Sequence, residues 1–183
     1  MIEIQNLTIC FKDKTVLQQF NAELPDSGCV VIRGESGIGK TTLLRALAGT
    51  LQPNEGAVFG VTGRRISVAF QEPRLLPWKT ALENVAMVSS TERAVRYLTR
   101  LSMQKELYQK AKNLSGGQQQ RVSLARAFAY GTDIVLLDEP FNGLDEQNRL
   151  KAAALFREAK LCIAVLHHDE DELFLQPNKK IML

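Results

Sequence analysis

The sequence predicts an α/β fold, and three stretches carry this prediction. A glycine-rich loop at 34–42 follows the apolar run 29–32 and precedes a helical pattern at 43–48. Two further apolar runs, Ile134–Leu137 and Cys162–Leu166, are typical of buried strands and have helical sequence between them. Strands that alternate with helices predict a parallel sheet covered on both faces.

The glycine-rich loop satisfies the phosphate-loop pattern G-x-x-x-x-G-K-[ST]. Its glycines allow a tight turn with inward N–H groups, and the helix that follows adds partial positive charge at its N-terminus. We expect Lys40 to reach the β- and γ-phosphates of a nucleotide and the Thr41 hydroxyl to help hold Mg²⁺. The predicted phosphate-binding residues are Gly34, Glu35, Ser36, Gly37, Ile38, Gly39, Lys40, Thr41 and Thr42.

The amino-terminal part of the chain is predicted to be rich in β-structure. Residues 2–11 and 15–24 have strand-like patterns and are joined by a predicted turn at 12–14. The segment 25–28 contains proline and glycine, which break the chain before the strand that enters the phosphate loop. Two shorter strands are predicted after the first helix, at 57–59 and 66–70.

A small helical segment is predicted between residues 72 and 113. Thr80 and Glu83 fit a capping box that starts one helix, which continues through about Val88. Ser89 with Glu92 is predicted to cap a second helix. The expected buried face of that helix consists of Val95, Leu98 and Leu101. The chain is expected to form one domain with three parts, 1–71, 72–113 and 114–183.

Composition and charge narrow the class of protein. With 183 residues, 45% of them hydrophobic, the chain can bury a core as one domain. The formal net charge of +3 is spread without a dense basic cluster, so no nucleic-acid partner is expected. The longest apolar run, 161–166, is too short to span a bilayer, and the early acid Glu3 is untypical of a signal peptide. The three cysteines lack metal-ligand or disulfide spacing, so core thiols in a reducing cytosol are expected.

Two acids follow the apolar run 134–137. A carboxylate at the carboxyl end of a parallel strand can lie beside a phosphate loop and hold Mg²⁺, which is the role predicted for Asp138. The next residue, Glu139, points elsewhere and is predicted to act as general base toward an attacking water. A solvated acidic turn after a core strand is the alternative interpretation, and the upstream phosphate loop favours the functional one.

A second glycine-rich helix start is present at 114–118, with the sequence L-S-G-G-Q. Apolar positions at helical spacing follow it, including Val122 and Ala125. Such a helix N-terminus binds anions, yet a single chain offers it no phosphate of its own. An ordinary helix capped by Ser115 is the alternative interpretation.

The order of these motifs resembles the ATP-binding cassette, the ATPase subunit of ABC transporters, over almost the whole chain. The loop 34–42 matches the family's Walker A loop, 114–118 its signature motif, and 134–139 its Walker B strand. The glutamine loop, the end of the D-loop and the switch histidine are matched by Gln71, Leu144-Asp145 and His168. The resemblance implies a P-loop NTPase fold with a RecA-like core, an antiparallel β subdomain and a small helical subdomain.

The resemblance also implies a composite site between two cassettes that pair head to tail, either two copies or this chain with a second cassette. ATP lies between the phosphate loop of one cassette and the signature of the other. The signature residues that would contact this nucleotide are Ser115, Gly116, Gly117 and Gln118. Asp145 would communicate across the dimer.

Further roles follow from the resemblance alone. Thr41, Asp138 and Gln71 would serve Mg²⁺. Lys40, Glu139 and His168 would be the catalytic residues, with His168 chosen over His167 because the family has an H-D pattern at that point. Phe11 stands where many relatives carry a tyrosine that stacks on adenine, and a core phenylalanine is the alternative.

Some features depart from the family pattern. The D-loop has Asn142-Gly143 where relatives favour Ser-Ala, and His167 stands where a threonine is usual. The helical segment is short for the family. The sequence ends soon after the switch region, so an accessory regulatory domain is not expected.

The stretch 70–78, with Thr80 and residues 83–85, resembles importers of nitrate, sulfonates or taurine. Leu75, Leu76 and Trp78 are predicted to meet a cytoplasmic helix of a membrane-spanning subunit, and packing inside the helical segment is the alternative.

The resemblance therefore implies an importer ATPase that uses ATP and Mg²⁺ in the cytoplasm, peripheral at the inner face of the cell membrane. A soluble ABC ATPase is one alternative, and the single cassette without sustained heptads argues against it. A P-loop kinase acting on a small molecule is another, and it leaves 114–118 unexplained.

Overall fold

A computed structural model describes residues 1–12 and 14–183, which form two sheets and several helices. The strands are β1 (Ile2–Phe11), β2 (Lys14–Leu24), β3 (Gly28–Arg33), β4 (Glu55–Phe59), β5 (Ile66–Ala69), β6 (Ile134–Asp138), β7 (Leu161–Val165) and β8 (Lys179–Met182). The helices are α1 (Lys40–Leu47), α2 (Ala81–Ala86), α3 (Thr91–Arg100), α4 (Gly116–Ala129), α5 (Glu146–Glu158) and α6 (Asp169–Leu175), with a 3₁₀ turn at Ala111–Asn113.

The central sheet has five strands in the order β5-β6-β7-β3-β8, and its described neighbours are all parallel. Every residue of β6 and β7 is buried, as expected for continuous apolar strands in a parallel sheet covered on both faces. A second, three-stranded sheet pairs β1 with β2 and β4 in antiparallel fashion. The predicted α/β fold is confirmed.

The two faces of the parallel sheet pack against different layers. Val30, Leu136 and Ile163 face a core shared with α1 and the antiparallel sheet. The residues next to them in each strand, including Val31 and Leu137, face a core formed with α2 to α6. This division follows from the alternation of side chains along a strand.

The register of the parallel sheet gathers the functional loops at one edge. Val165 in β7 lies opposite Ile32 in β3 on one side and Asp138 in β6 on the other. The carboxyl ends of these strands are therefore level, and the loops that follow them emerge side by side. Ligand sites in such sheets form at this edge.

The start and buried face of α3 differ from the sequence prediction. Its N-cap is Ser90, whose hydroxyl accepts a hydrogen bond from the Arg93 amide, whereas the Ser89 hydroxyl donates to the Val85 carbonyl at the end of α2. Ala94, with Leu98 and Leu101, forms the buried face, and Val95 is only half-buried. The prediction was one residue early because either serine can cap, and the spacing of the buried residues decides between them.

Other elements also differ in detail from the predictions. Helix α1 begins at Lys40, directly after the glycine-rich loop, and not at Leu43. Strand β8 was not predicted, and it joins the sheet edge beside β3. The predicted turn at 12–14 includes Asp13, which lies outside the described residues. Across the residues that the structure describes, no helix is both long and apolar enough to cross a bilayer.

The three cysteines are free thiols in this structure. Cys29 and Cys162 are buried and lie opposite each other in β3 and β7, which agrees with the predicted core position. Cys10 is only partly buried and contacts the Thr15 hydroxyl, so the core prediction was wrong for this residue. It is the last residue but one of β1, directly before the exposed Phe11.

Candidate functional site

The phosphate loop turns sharply from β3 into α1. Gly39 is the N-cap of α1 with φ of 116°, and a Cβ there would lie 2.8 Å from Val16 Cγ1, so only glycine fits this turn. No side chain caps the helix, and its first turn has no acidic residue. The first N–H groups of α1 are therefore directed at the loop, where they can bind an anion.

Lys40 is the first residue of α1, and its side chain is folded over the loop. Its ammonium group donates to the carbonyl oxygens of Gly34 at 2.7 Å and Glu35 at 2.8 Å. The side chain is only 6% exposed. These contacts hold a positive charge above the inward N–H groups, which is the arrangement a phosphate requires.

Thr41 and Asp138 join the phosphate loop to the end of β6. The Thr41 hydroxyl donates to Asp138 Oδ2 at 2.8 Å, and Asp138 is 2% exposed. Burial raises the pKa of the Asp138 carboxyl above its usual value, the nearby Glu139 charge adds to this effect, and the Thr41 hydrogen bond opposes it. A buried carboxylate beside a hydroxyl, aimed at a phosphate loop, is a suitable oxygen donor set for Mg²⁺.

Glu139 turns out of the strand that precedes it. Its φ of 49° lies in the left-handed region, which costs a non-glycine residue about 1–2 kcal/mol. Its amide donates to the Val165 carbonyl at 3.1 Å, and its carboxylate accepts from Gln71 Nε2 at 3.0 Å. The sequence prediction that Glu139 points away from Asp138 agrees with this geometry. Gln71 is brought to the same place from the end of β5.

Residues of the phosphate loop line one cavity of about 380 Å³ together with Gln71 and Glu139, whereas Asp138 is not among its lining residues. Its predicted members are Phe11, Ser36, Gly37, Gly39, Lys40, Thr41, Thr42, Gln71 and Glu139. Phe11 is 44% exposed, so it is not a core phenylalanine. Sequence reasoning missed Val16 and Val165 as lining residues, and nothing in their apolar strand patterns distinguishes them from core valines.

The structure brings His167, and not His168, to the wall of this cavity. His168 is the N-cap residue of α6, and the backbone there is extended, with φ of −104° and ψ of 141°. Successive side chains of an extended chain point to opposite sides, so only one of the two imidazoles faces the nucleotide cavity. Both histidines line a small adjoining cleft of about 60 Å³ together with Glu139.

The signature residues 115–118 do not line the cavity and lie at the start of α4. The Ser115 hydroxyl accepts from the Gln118 amide at 3.3 Å, and the Gln118 side chain accepts from the Ser115 amide at 2.8 Å. This capping box confirms the Ser115 cap. Gly116 remains open, since nothing lies within 4 Å of the position that a Cβ there would occupy. A Cβ at Gly117 would lie 2.4 Å from the carbonyl oxygen of Gly143, so the signature and the D-loop (142–145) are in close contact.

Asp145 also lies outside the cavity. It is the N-cap of α5, where its carboxylate accepts from the Asn148 amide at 2.9 Å and from the Asn148 side chain at 2.8 Å. These hydrogen bonds, the backbone one first, lower the pKa of Asp145. The structure thus gives Asp145 a capping role within its own chain.

A larger groove of about 950 Å³ lies between α5 and α6, and it includes the exposed Leu150 and Leu173. It contains neither the phosphate loop nor the acids at the end of β6. The smaller cavity is therefore the candidate functional site, because it combines the N-terminus of α1, a lysine and the Glu139 carboxylate, and the larger groove has neither that N-terminus nor a lysine.

The chain is similar to known proteins over most or all of its length. A family model described as "ABC transporter" matches residues 17–142. An aliphatic sulfonates import ATP-binding protein, SsuB 2 of Rhodococcus jostii (strain RHA1), is 37% identical over 190 residues, covering 100% of this chain and 78% of that protein. The corresponding SsuB of Mycobacterium sp. (strain MCS) is 38% identical over 196 residues, covering 100% of this chain and 79% of that protein.

A solved structure is similar over the whole chain. The dimeric post-hydrolysis structure of the ATP-binding cassette MJ0796, bound to ADP and Pi, superposes with a TM-score of 0.89 at 28% identity. The superposition covers 100% of this chain and 94% of that one.

Proposed function

The chain belongs to the ABC transporter family, and from this premise we propose that it hydrolyses ATP to power import through membrane-spanning partner subunits. The single observation that carries the proposal is the cavity that joins the phosphate loop, Gln71 and Glu139, with Asp138 hydrogen-bonded to Thr41 of that loop. The activity of a small-molecule kinase does not explain the signature at 114–118. The importer names of the relatives disfavour a soluble ABC ATPase without a transport role.

We assign nucleotide binding to residues 34–42. The N–H groups at the start of α1 and the Lys40 ammonium bind the phosphates, and Lys40 exchanges its loop carbonyls for phosphate oxygens. Phe11, exposed at the cavity rim, stacks on the adenine ring.

The donor set of this site fits Mg²⁺. Thr41 Oγ1 and Asp138 Oδ2 lie 2.8 Å apart, and Gln71 uses its Nε2 for Glu139, which leaves its amide oxygen as the third donor. When bound, Mg²⁺ neutralises charge that develops on the phosphate oxygens. The cation would also stabilise the buried Asp138 carboxylate, whose pKa is raised by burial.

Glu139 is the proposed general base. Its left-handed backbone directs the carboxylate into the cavity, and the hydrogen bond from Gln71 fixes its orientation. From this position it accepts a proton from the water that attacks the γ-phosphate. A histidine of this pair contacts that phosphate. The resemblance to the family favours His168, whereas the position on the cavity wall favours His167. Comparison of His167→Ala with His168→Ala identifies which imidazole acts.

A second cassette completes the site. Residues 115–118 and Asp145 are absent from the cavity of their own chain, yet Gly116 is open and the helix start can bind an anion. In the proposed head-to-tail dimer, the signature of one subunit closes over the γ-phosphate bound to the other. The similar MJ0796 cassette is a dimer.

The transported solute is proposed from the relatives. Their names specify import of aliphatic sulfonates, so we assign this chain to import of a small anion such as a sulfonate or nitrate. The protein would then work in the cytoplasm, at the inner face of the membrane.

The surface that meets the membrane subunit is proposed around Trp78. Trp78 is 65% exposed and Leu76 is half-buried, while Leu75 packs against the core and contributes less than the sequence suggested. The segment that carries Leu75, Leu76 and Trp78 begins at Gln71. A movement of Gln71 on nucleotide binding can therefore be transmitted to the docking surface.

Steady-state ATPase measurements with and without Mg²⁺ test the proposal. We expect Mg²⁺-dependent hydrolysis by the wild-type protein. Glu139→Gln should retain ATP binding and lose about 10²–10⁴-fold in turnover, because an amide cannot take the proton. Near-normal turnover in that variant would remove Glu139 from the mechanism, and no hydrolysis by the wild type would refute the proposed function.

A further inference from the structure

Helix α6 and the two histidines before it are held by arginines from two different elements. Arg33 is the last residue of β3 and immediately precedes the phosphate loop, whereas Arg149 lies in the first turn of α5, after the D-loop. Neither arginine lines the nucleotide cavity. Both side chains nevertheless contact the segment that carries His167 and His168.

Arg33 connects the phosphate-loop strand to the histidine pair. Its Nη1 donates to the His168 carbonyl at 3.1 Å and lies 3.7 Å from Glu172 Oε2. Arg33 is 14% exposed and Glu172 is 18% exposed, so water screens this pair only partly. A further ion pair with Asp169 involves a side chain that is 92% exposed and therefore adds little.

Glu172 is placed between two cations. Besides Arg33 from β3, it pairs with Lys180 from the neighbouring strand β8. The carboxylate thereby fixes the first turn of α6 to the edge of the parallel sheet. The carbonyl of His168 is held at the same edge, so the backbone of the histidine pair cannot shift without disturbing Arg33.

Arg149 connects the same helix to the D-loop. Its Nε donates to the Leu144 carbonyl at 3.0 Å, and its Nη1 donates to Asp171 Oδ1 at 2.9 Å. Asp171 is buried, and Leu144 immediately precedes Asp145. One rigid, planar guanidinium thus spans the D-loop backbone and a carboxylate of α6.

The Arg149–Asp171 pair also forms part of the small cleft behind the candidate base. That cleft of about 60 Å³ is shared with Glu139, His167 and His168. A displacement of the histidines therefore moves α6, and through Arg149 it moves the D-loop carbonyl.

We propose that Arg33 and Arg149 are positioning residues for hydrolysis. Arg33 fixes the histidine pair relative to the phosphate loop, and Arg149 ties the same helix to the D-loop. The inference rests on the proposed ATPase function. It predicts that the two arginines act on turnover and not on nucleotide binding, because they touch the machinery only through other groups.

Arg33→Lys and Arg149→Lys test this, because lysine keeps the charge but cannot span two acceptors with a planar fork. We expect each variant to fold with a near wild-type melting temperature and to lose about 10–100-fold in kcat, as for a small misplacement of catalytic groups. The KM and the Kd for ATP should stay within about twofold of wild type, since uniform binding is retained.

The matched control is Arg100→Lys. Arg100 makes a comparable two-armed pair with Glu158 of α5, with distances of 2.8 and 2.5 Å, away from the nucleotide cavity. This variant should keep wild-type kcat. Asp171→Asn, which retains the shape of the Arg149 partner, should reproduce the kcat loss of Arg149→Lys.

The outcomes separate this inference from the proposed function. If the wild type hydrolyses ATP and Glu139→Gln does not, but the Arg33 and Arg149 variants match Arg100→Lys in kcat, the positioning role is refuted and the function stands. A loss confined to ATP affinity or to melting temperature also refutes the positioning role. Absence of hydrolysis in the wild type refutes the function and this inference with it.

Discussion

Gly117→Ala tests the contact between the signature helix and the D-loop. A Cβ at Gly117 would lie 2.4 Å from the Gly143 carbonyl oxygen, roughly 1 Å closer than ordinary van der Waals contact. That oxygen belongs to the backbone and cannot rotate away, so we expect an overpacking cost of about 1–3 kcal/mol. Gly116→Ala is the matched control because nothing lies within 4 Å of its Cβ position.

Both substitutions place alanine in the first turn of α4, so a gain of up to about 1 kcal/mol from helix propensity is common to them. The difference between the two variants is then about 1–3 kcal/mol, or about 2–12 °C in melting temperature for a chain of this size. Thermal and urea unfolding of nucleotide-free protein measures it. Equal melting temperatures for Gly116→Ala and Gly117→Ala would refute the close contact.

Two further predictions concern the Asp138 carboxylate and the docking surface around Trp78. Because burial raises the folded-state pKa of Asp138 above its usual 3.8, its contribution to stability is present below that value and is lost as pH rises through the folded pKa. In urea unfolding without nucleotide, the stability of Asp138→Asn should therefore increase relative to wild type as pH rises from about 4. The same variant should lose Mg²⁺-dependent ATPase activity. A stability difference between the two proteins that does not change with pH would show that Asp138 is not destabilised by burial. Trp78→Asp should abolish pull-down of the membrane subunit and leave basal ATPase of the free protein nearly unchanged, whereas Phe59→Asp, at a 50% exposed site in β4, should affect neither. Loss of ATPase with retained assembly would withdraw the docking surface.

The phosphate loop and the two acids could be predicted because their chemistry depends on neighbours in sequence. The loop 34–42 needs its glycines, lysine and threonine at fixed spacing. The apolar residues of the run 134–137 are enough to predict a buried parallel strand. Their proximity followed from the rule that parallel strands end at one edge of the sheet.

Other features depend on contacts between distant residues and left no local signal. The choice of Ser90 over Ser89 depends on which face of α3 packs on the core. The left-handed backbone of Glu139 costs free energy locally, so local propensity predicts against it. His167 lies on the cavity wall in a segment whose His168 carbonyl accepts a hydrogen bond from Arg33 of another strand, which is a contact between residues distant in sequence.

The spatial separation of the signature from the cavity could not be derived from residue patterns either. Residues 115–118 were expected to meet a phosphate, and only the resemblance to ABC cassettes indicated that this phosphate belongs to a partner. The structure adds the open position of Gly116 and the contact of Gly117 with Gly143.

The most direct test of the composite site is the ATP-dependent oligomeric state of Glu139→Gln, measured by sedimentation velocity. We predict a monomer without nucleotide and a dimer with ATP, since the variant binds ATP without consuming it. The double variant Glu139→Gln with Ser115→Arg should bind ATP with similar affinity and remain monomeric, because arginine fills the space for the opposite γ-phosphate. A double variant that still dimerises with ATP would contradict the composite site.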